Sequence, residues 1–228
     1  MAAMLDGSWA DFGNILASVS ALGTAAFGLV DATKVYRGGV SNIGFRFIKD
    51  AVTPYSAALE LVDRNDPLTT IKANWLNGVP KADQKATVKS LIRLGITEAT
   101  VSALAGGAPG IDETALKAAA IKLDAGEQLT ETDLNVLGRF DAILDAQMDA
   151  GFERADQQYR NSAKVLAAGF AILLAISGMW IVQHQEMTTN DFLQALLLGI
   201  VSTPLAPIAK DLASALGTAV ATVKSTKV

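Results

Sequence analysis

The chain has 228 residues, no cysteine, one histidine (His184) and a formal net charge of −4 from 19 basic and 23 acidic side chains. Zero cysteines exclude disulfides, thiolate metal sites and cysteine nucleophiles, and one histidine gives no basis for a His-rich metal centre or a Ser-His triad. The balanced, slightly acidic charge argues against nucleic acid as a partner, because phosphate binding needs clustered cations.

Half of the residues are apolar and 18% are charged. The uncharged residues gather in three runs: Phe12–Val30 (19 residues), Val165–Val182 (18) and Phe192–Ala209 (18). Each is about long enough for a bilayer, which takes roughly 17–25 predominantly apolar residues. All 19 basic residues lie in Lys34–Lys164 and Lys210–Lys227, none in residues 1–11 or 183–191. The positive-inside rule then gives an outer N-terminus, a cytoplasmic middle and an inner C-terminus. Residues 1–11 carry Asp6 and Asp11 and no base, unlike a secretory leader, so the first run is expected to be a retained span.

The chain reads in order as an outer stub (1–11), a first transmembrane helix (12–33) and a helical cytoplasmic domain (34–130). A long stalk helix continuing into the second span (131–182) follows, then an outer loop (183–191), a kinked third span (192–209) and an inner helix and tail (210–228). In the first span Gly13, Ala17, Ala21 and Ala25 step by four, as do Ser20, Thr24 and Gly28. Small residues at that interval let helix backbones approach closely in lipid. They are the candidate face for packing against the other spans or against another copy.

No period-two alternation occurs in the middle region, so helices are expected throughout. Ile43–Arg64 is interrupted near Pro54, and Asp66-Pro67 opens a short helix that Gly78-Val79-Pro80 ends. Ala82–Leu94 follows, closed by Gly95, then Thr97–Leu104. The Gly106–Gly110 turn lacks the lysine of a phosphate-binding loop, and Asp112 caps a helix to about Leu123. Thr130 with Asp133 resembles a capping pair. From Thr132 to Val182 there is no proline, and an unbroken helix of that length is a rod of about 75 Å. Gly138, Gly151 and Gly169 each weaken it by about 1 kcal/mol relative to Ala, with Gly151 the expected break point.

Asp141, Asp145, Asp149 and Glu153 step by four along the stalk, and Lys85, Lys89 and Arg93 step by four on the helix before Gly95. Like charges at that spacing repel, so the two ladders are expected to face each other. One straight helix offers too few oxygens for calcium, and no metal or cofactor is expected. His184 and Glu186 read as polar loop residues. Pro204 and Pro207 kink the third span near its inner end.

The fold class expected is all-α: an integral membrane protein with three transmembrane helices and a helical cytoplasmic domain. Its location is the plasma membrane, of the bacterial inner type. The expected partners are the lipid bilayer, further copies of the chain as a homo-oligomer, and a cytosolic protein. No catalytic constellation is present in the sequence. The function expected is a non-enzymatic anchor or self-assembling scaffold, with a homo-oligomeric pore lined by the first or third span as the alternative.

Overall fold

A computed structural model describes residues 2–36, 38–183 and 186–205, the side chains of residues 2–13 excepted. Every element among them is helical: α1 (Ala2–Ala32), α2 (Ser41–Val52), α3 (Ser56–Val62), α4 (Thr69–Leu76), α5 (Lys81–Leu94), α6 (Val101–Gly107), α7 (Glu113–Ala125) and α8 (Glu131–Val182). A further helix, α9, covers 189–205. Residues 206–228, which include the expected C-terminal helix and Pro207, lie outside the described residues. Two compact units divide the chain: one holds Met1–Arg37 and Arg160–Val228, the other Gly38–Tyr159. The boundary falls inside α8.

In the unit Gly38–Tyr159, local chemistry sets the helix ends. Pro54 cannot donate a backbone hydrogen bond and its ring crowds the preceding turn. The chain therefore passes from α2 to α3 through a 3-10 turn, Thr53–Tyr55. Asp112 accepts a hydrogen bond from the Ala115 amide at 3.1 Å to start α7, and Gly126 ends it in the left-handed conformation (φ 67°). The expected Thr97–Leu104 helix is displaced. Thr97 to Thr100 form a turn held by the Thr100 hydroxyl on the Gly95 carbonyl (2.6 Å), and α6 runs from Val101 to Gly107.

The core of this unit consists of large side chains. Phe140, Leu144, Met148 and Phe152 of α8 recur every four residues and are at most 1% exposed, packed with Tyr55, Ile48, Ile71, Ile92 and Leu104. Each such burial contributes about 1.5–3 kcal/mol. Val88 and Ile92 fill the buried side of α5, whereas Leu94 at its end is 73% exposed.

The other unit has the opposite pattern. Its buried positions are mostly small: Ala163, Ala167, Ala171 and Ala175 on α8, Gly23 and Ala26 on α1, and Ala195, Gly199 and Ser202 on α9, with Val19 and Val30 on α1 and Thr203 on α9 the larger exceptions. A Cβ at Gly199 would stand 2.5 Å from the Ile172 Cα, so α8 and α9 touch backbone to backbone there. The large side chains point outward, with Val165 75%, Ile181 68%, Leu173 62% and Leu197 62% exposed. Two helices are long and apolar enough to cross a membrane, Asn14–Val35 and Glu131–Val182, with 28% and 17% of their apolar windows buried. A helix that serves as the core of a water-soluble domain is mostly buried, and these are not.

Candidate functional site

The charged side chains of the two ladders meet across α5 and α8. Lys81 pairs with Glu153, Lys85 with Asp149, Lys89 with Asp145 at 2.7 Å, and Arg93 with Asp141, its Nε donating at 2.8 Å. Lys89 also lies 3.5 Å from Asp141. Each step of four up α5 is matched by a step of four down α8, which is the register of two antiparallel helices. Four cations meet four carboxylates, so the interface is neutral.

Burial is graded along the ladder. The Lys89 side chain is 17% exposed and its Asp141 neighbour 24%, whereas Glu153 at one end is 66% exposed. The hydrogen bond to Asp145 holds the Lys89 ammonium above its ordinary range, and Asp141 does the same for Arg93. Burial alone would push the Asp141 carboxyl up, but Arg93 and Lys89 more than offset this and hold it low. The Lys85 ammonium holds Asp149 low as well. Among the described residues no group of three or more His, Asp or Glu is gathered in a metal-binding cluster.

Lys81 did not figure in the sequence-derived ladder. It lies four residues before Lys85 and is the first residue of α5, where the loop-like Gly78-Val79-Pro80 points to a helix start at Ala82. A further polar cluster also escaped, and of another only the Thr130–Asp133 pair was legible. The Tyr55 hydroxyl donates to Gln147 Oε1 at 2.6 Å, and Gln147 Nε2 donates to the Gly107 carbonyl at 3.0 Å. Burial pushes the Tyr55 hydroxyl up to about 12. Lys122 donates to Asp133 at 2.5 Å, and the Thr130 amide and hydroxyl donate to the same carboxylate at 2.7 and 2.6 Å. These bonds, that from Lys122 foremost, lower Asp133 to about 2.

In the unit Met1–Arg37 with Arg160–Val228, the small-residue face of α1 is not the one used within the chain. Val19, Gly23, Ala26 and Val30 are buried, while Ala17, Ala21, Thr24, Ala25 and Gly28 are exposed and Ser20 half-buried. The surroundings of Gly13 lie outside the described residues. Asp191 begins α9 by accepting from the Thr188 amide (3.0 Å) and hydroxyl (2.7 Å), the same reciprocal box as Thr130 with Asp133. Glu186 is exposed, and His184 lies outside the described residues. Pro204 falls within α9 close to its described end.

Compared with family models, curated proteins and solved structures, the chain matches none of them.

Proposed function

We propose that the chain is an integral membrane protein whose spans anchor the helical domain Gly38–Tyr159 and join copies into a self-assembled scaffold. The inversion of burial between the two units carries this reading. One unit encloses Phe, Tyr, Leu and Met. The other encloses mainly Ala, Gly and Ser, with Val19, Val30 and Thr203, and turns most of its Leu, Ile and Trp outward. Water selects the first arrangement. The second suits hydrocarbon, where large side chains lose nothing by facing lipid and small ones let backbones meet.

On this reading α1, the C-terminal part of α8 and α9 are three spans, and outer flanks without a basic residue support a cytoplasmic position for the domain. A plasma membrane of the bacterial inner type is the host. The face Ala17, Ala21, Thr24, Ala25 and Gly28 stays open after the chain has folded on itself, and a second copy is what it joins. The ladders contribute by holding α5 to α8 within each copy.

The absence of cysteine makes a clean test. Ala21→Cys and Ala25→Cys, oxidised in native membranes, should give dimers. Ile15→Cys, 60% exposed on another face, should not. Equal crosslinking at all three positions, or none together with a monomeric particle in mild detergent, would reject the assembly.

A further inference from the structure

Within the unit Met1–Arg37 with Arg160–Val228 lies a cleft of about 490 Å³ lined by Phe27, Lys164, Val165, Ala168, Thr203 and Pro204. Four of these side chains are apolar. Thr203 is only 6% exposed, and its Oγ1 is buried with no hydrogen-bond partner. A threonine hydroxyl on a helix ordinarily bonds back to a carbonyl in the preceding turn. Here the neighbouring Ser202 hydroxyl occupies the Gly199 carbonyl at 2.9 Å instead. Pro204, having no amide proton, leaves the next turn of the ladder incomplete as well. Lys164 is exposed and has no ion pair among the described residues.

Two donors, one a cation and one a buried hydroxyl, thus line an otherwise apolar cleft with nothing to receive their protons. We propose that the cleft seats one anionic phospholipid. Its phosphate oxygens, which are acceptors only, take the Lys164 ammonium and the Thr203 hydroxyl. An acyl chain lies along Phe27, Val165 and Ala168. A zwitterionic head group would bring its own cation against Lys164, so the cleft selects for net negative charge. The inference rests on the membrane reading above, in which Lys164 stands where α8 enters the bilayer at head-group depth. Basic pockets between spans on the cytoplasmic side suit such head groups.

The test uses the full chain in mild detergent, stripped of lipid and titrated with phosphatidylglycerol, phosphatidylcholine or glycerol 3-phosphate. Bound lipid is counted by native mass spectrometry and Tm is followed in parallel. Phosphatidylglycerol alone should bind saturably at one per chain and raise Tm. Lys164→Gln should weaken it at least about fivefold, the worth of one lysine beside an anionic head group. Thr203→Val should raise the Tm of the stripped protein, because it removes an unpartnered hydroxyl, and yet weaken phosphatidylglycerol. Equal binding of the two lipids, or unchanged phosphatidylglycerol binding in both variants, overturns the proposal. So does glycerol 3-phosphate binding as tightly as the lipid, which would assign the cleft to a soluble phosphate. Flotation with vesicles separates the two ideas. A chain that stays at the bottom of the gradient overturns the membrane reading, and one that floats without lipid selectivity overturns this inference alone.

Discussion

At Gly151 an added Cβ would sit 2.6 Å from the Cβ of Ala51, and at Gly44, on the same side of the α2–α8 crossing, 2.7 Å from the Ala155 carbonyl. At Gly138, one helical stretch earlier in α8, it would meet nothing within 4 Å. Helix propensity alone favours Ala over Gly by about 1 kcal/mol at either position. The surroundings decide the sign. Gly138→Ala should stabilise the protein by about 1 kcal/mol, and Gly151→Ala should destabilise it by about 1–2 kcal/mol as α2 is forced outward. Denaturant unfolding of the two variants checks the pair, and a gain at both positions would contradict the close crossing. The sequence presents both residues alike, as glycines in a long helix, and Gly151 read as the place to break. Nothing local in a sequence reports that another backbone is near, so a glycine required by packing and a glycine merely tolerated look identical.

Asp133 gives a second residue-scale expectation. Its carboxyl lies at about 2, below the ordinary 3.8, with Lys122 the chief cause. A depressed folded pKa means the charged form is favoured by folding. The contribution is complete above the ordinary carboxylate value and fades as pH falls toward about 2. Asp141 and Asp149 are displaced the same way. Tyr55 acts at the other end, since its folded value of about 12 exceeds the ordinary 10.0, and its contribution fades as pH rises between them. Stability should therefore fall on the acid side below about pH 4 and on the alkaline side above the ordinary tyrosine range. Asp133→Asn should flatten the acid limb, and Tyr55→Phe the alkaline one. Circular-dichroism melts across pH read both, and limbs that keep their wild-type slopes in the variants would count against these assignments.

Among the elements, the pairing of α5 with α8 was the most legible feature of the unit Gly38–Tyr159. Two runs of opposite charge at the same spacing of four satisfy each other when their helices pack side by side, and Lys85, Lys89 and Arg93 do so in the antiparallel sense, opposite Asp149, Asp145 and Asp141. The lost rung, Lys81, followed from reading Pro80 as loop when it stands immediately before the first helical residue. The energetics are ordinary for part-exposed pairs, about 0.2–1 kcal/mol each. Lys85→Glu sets a carboxylate against Asp149 and should destabilise by about 1 kcal/mol. Adding Asp149→Lys should recover most of that, giving a coupling energy in a double-mutant cycle. Additive losses would mean that the pair contributes nothing. The packing of the long apolar helices was less legible for a physical reason. In a helix that is apolar all round, several faces carry small residues every four positions, and periodicity cannot say which is buried. The chain uses Ala163, Ala167, Ala171 and Ala175 on α8 and leaves Ala17, Ala21 and Ala25 on α1 open.

For the molecule as a whole, two independent signals bear on the same question, and neither is derived from the other. Burial differs between the units: a core of large side chains in Gly38–Tyr159, and mostly small buried positions under an apolar exterior in the other. Charge is unevenly distributed: the residues between the first two apolar runs carry most of the basic side chains, and 183–191 carry none. If burial reports lipid, the charge asymmetry fixes which compartment receives the domain, because basic segments are retained on the cytoplasmic face. The cysteine-free chain permits a direct measurement with a membrane-impermeant maleimide. Asn190→Cys, exposed beside the short loop, should be labelled in spheroplasts of an expressing bacterium and protected in inverted vesicles. Asp66→Cys and Glu113→Cys, both exposed in the domain, should behave in the opposite way. Labelling of all three in both preparations would mean that no membrane separates them, and the inverted burial would need a protein partner rather than lipid to cover it. A reversed pattern would leave the spans intact and overturn the orientation, placing the ion-paired domain outside.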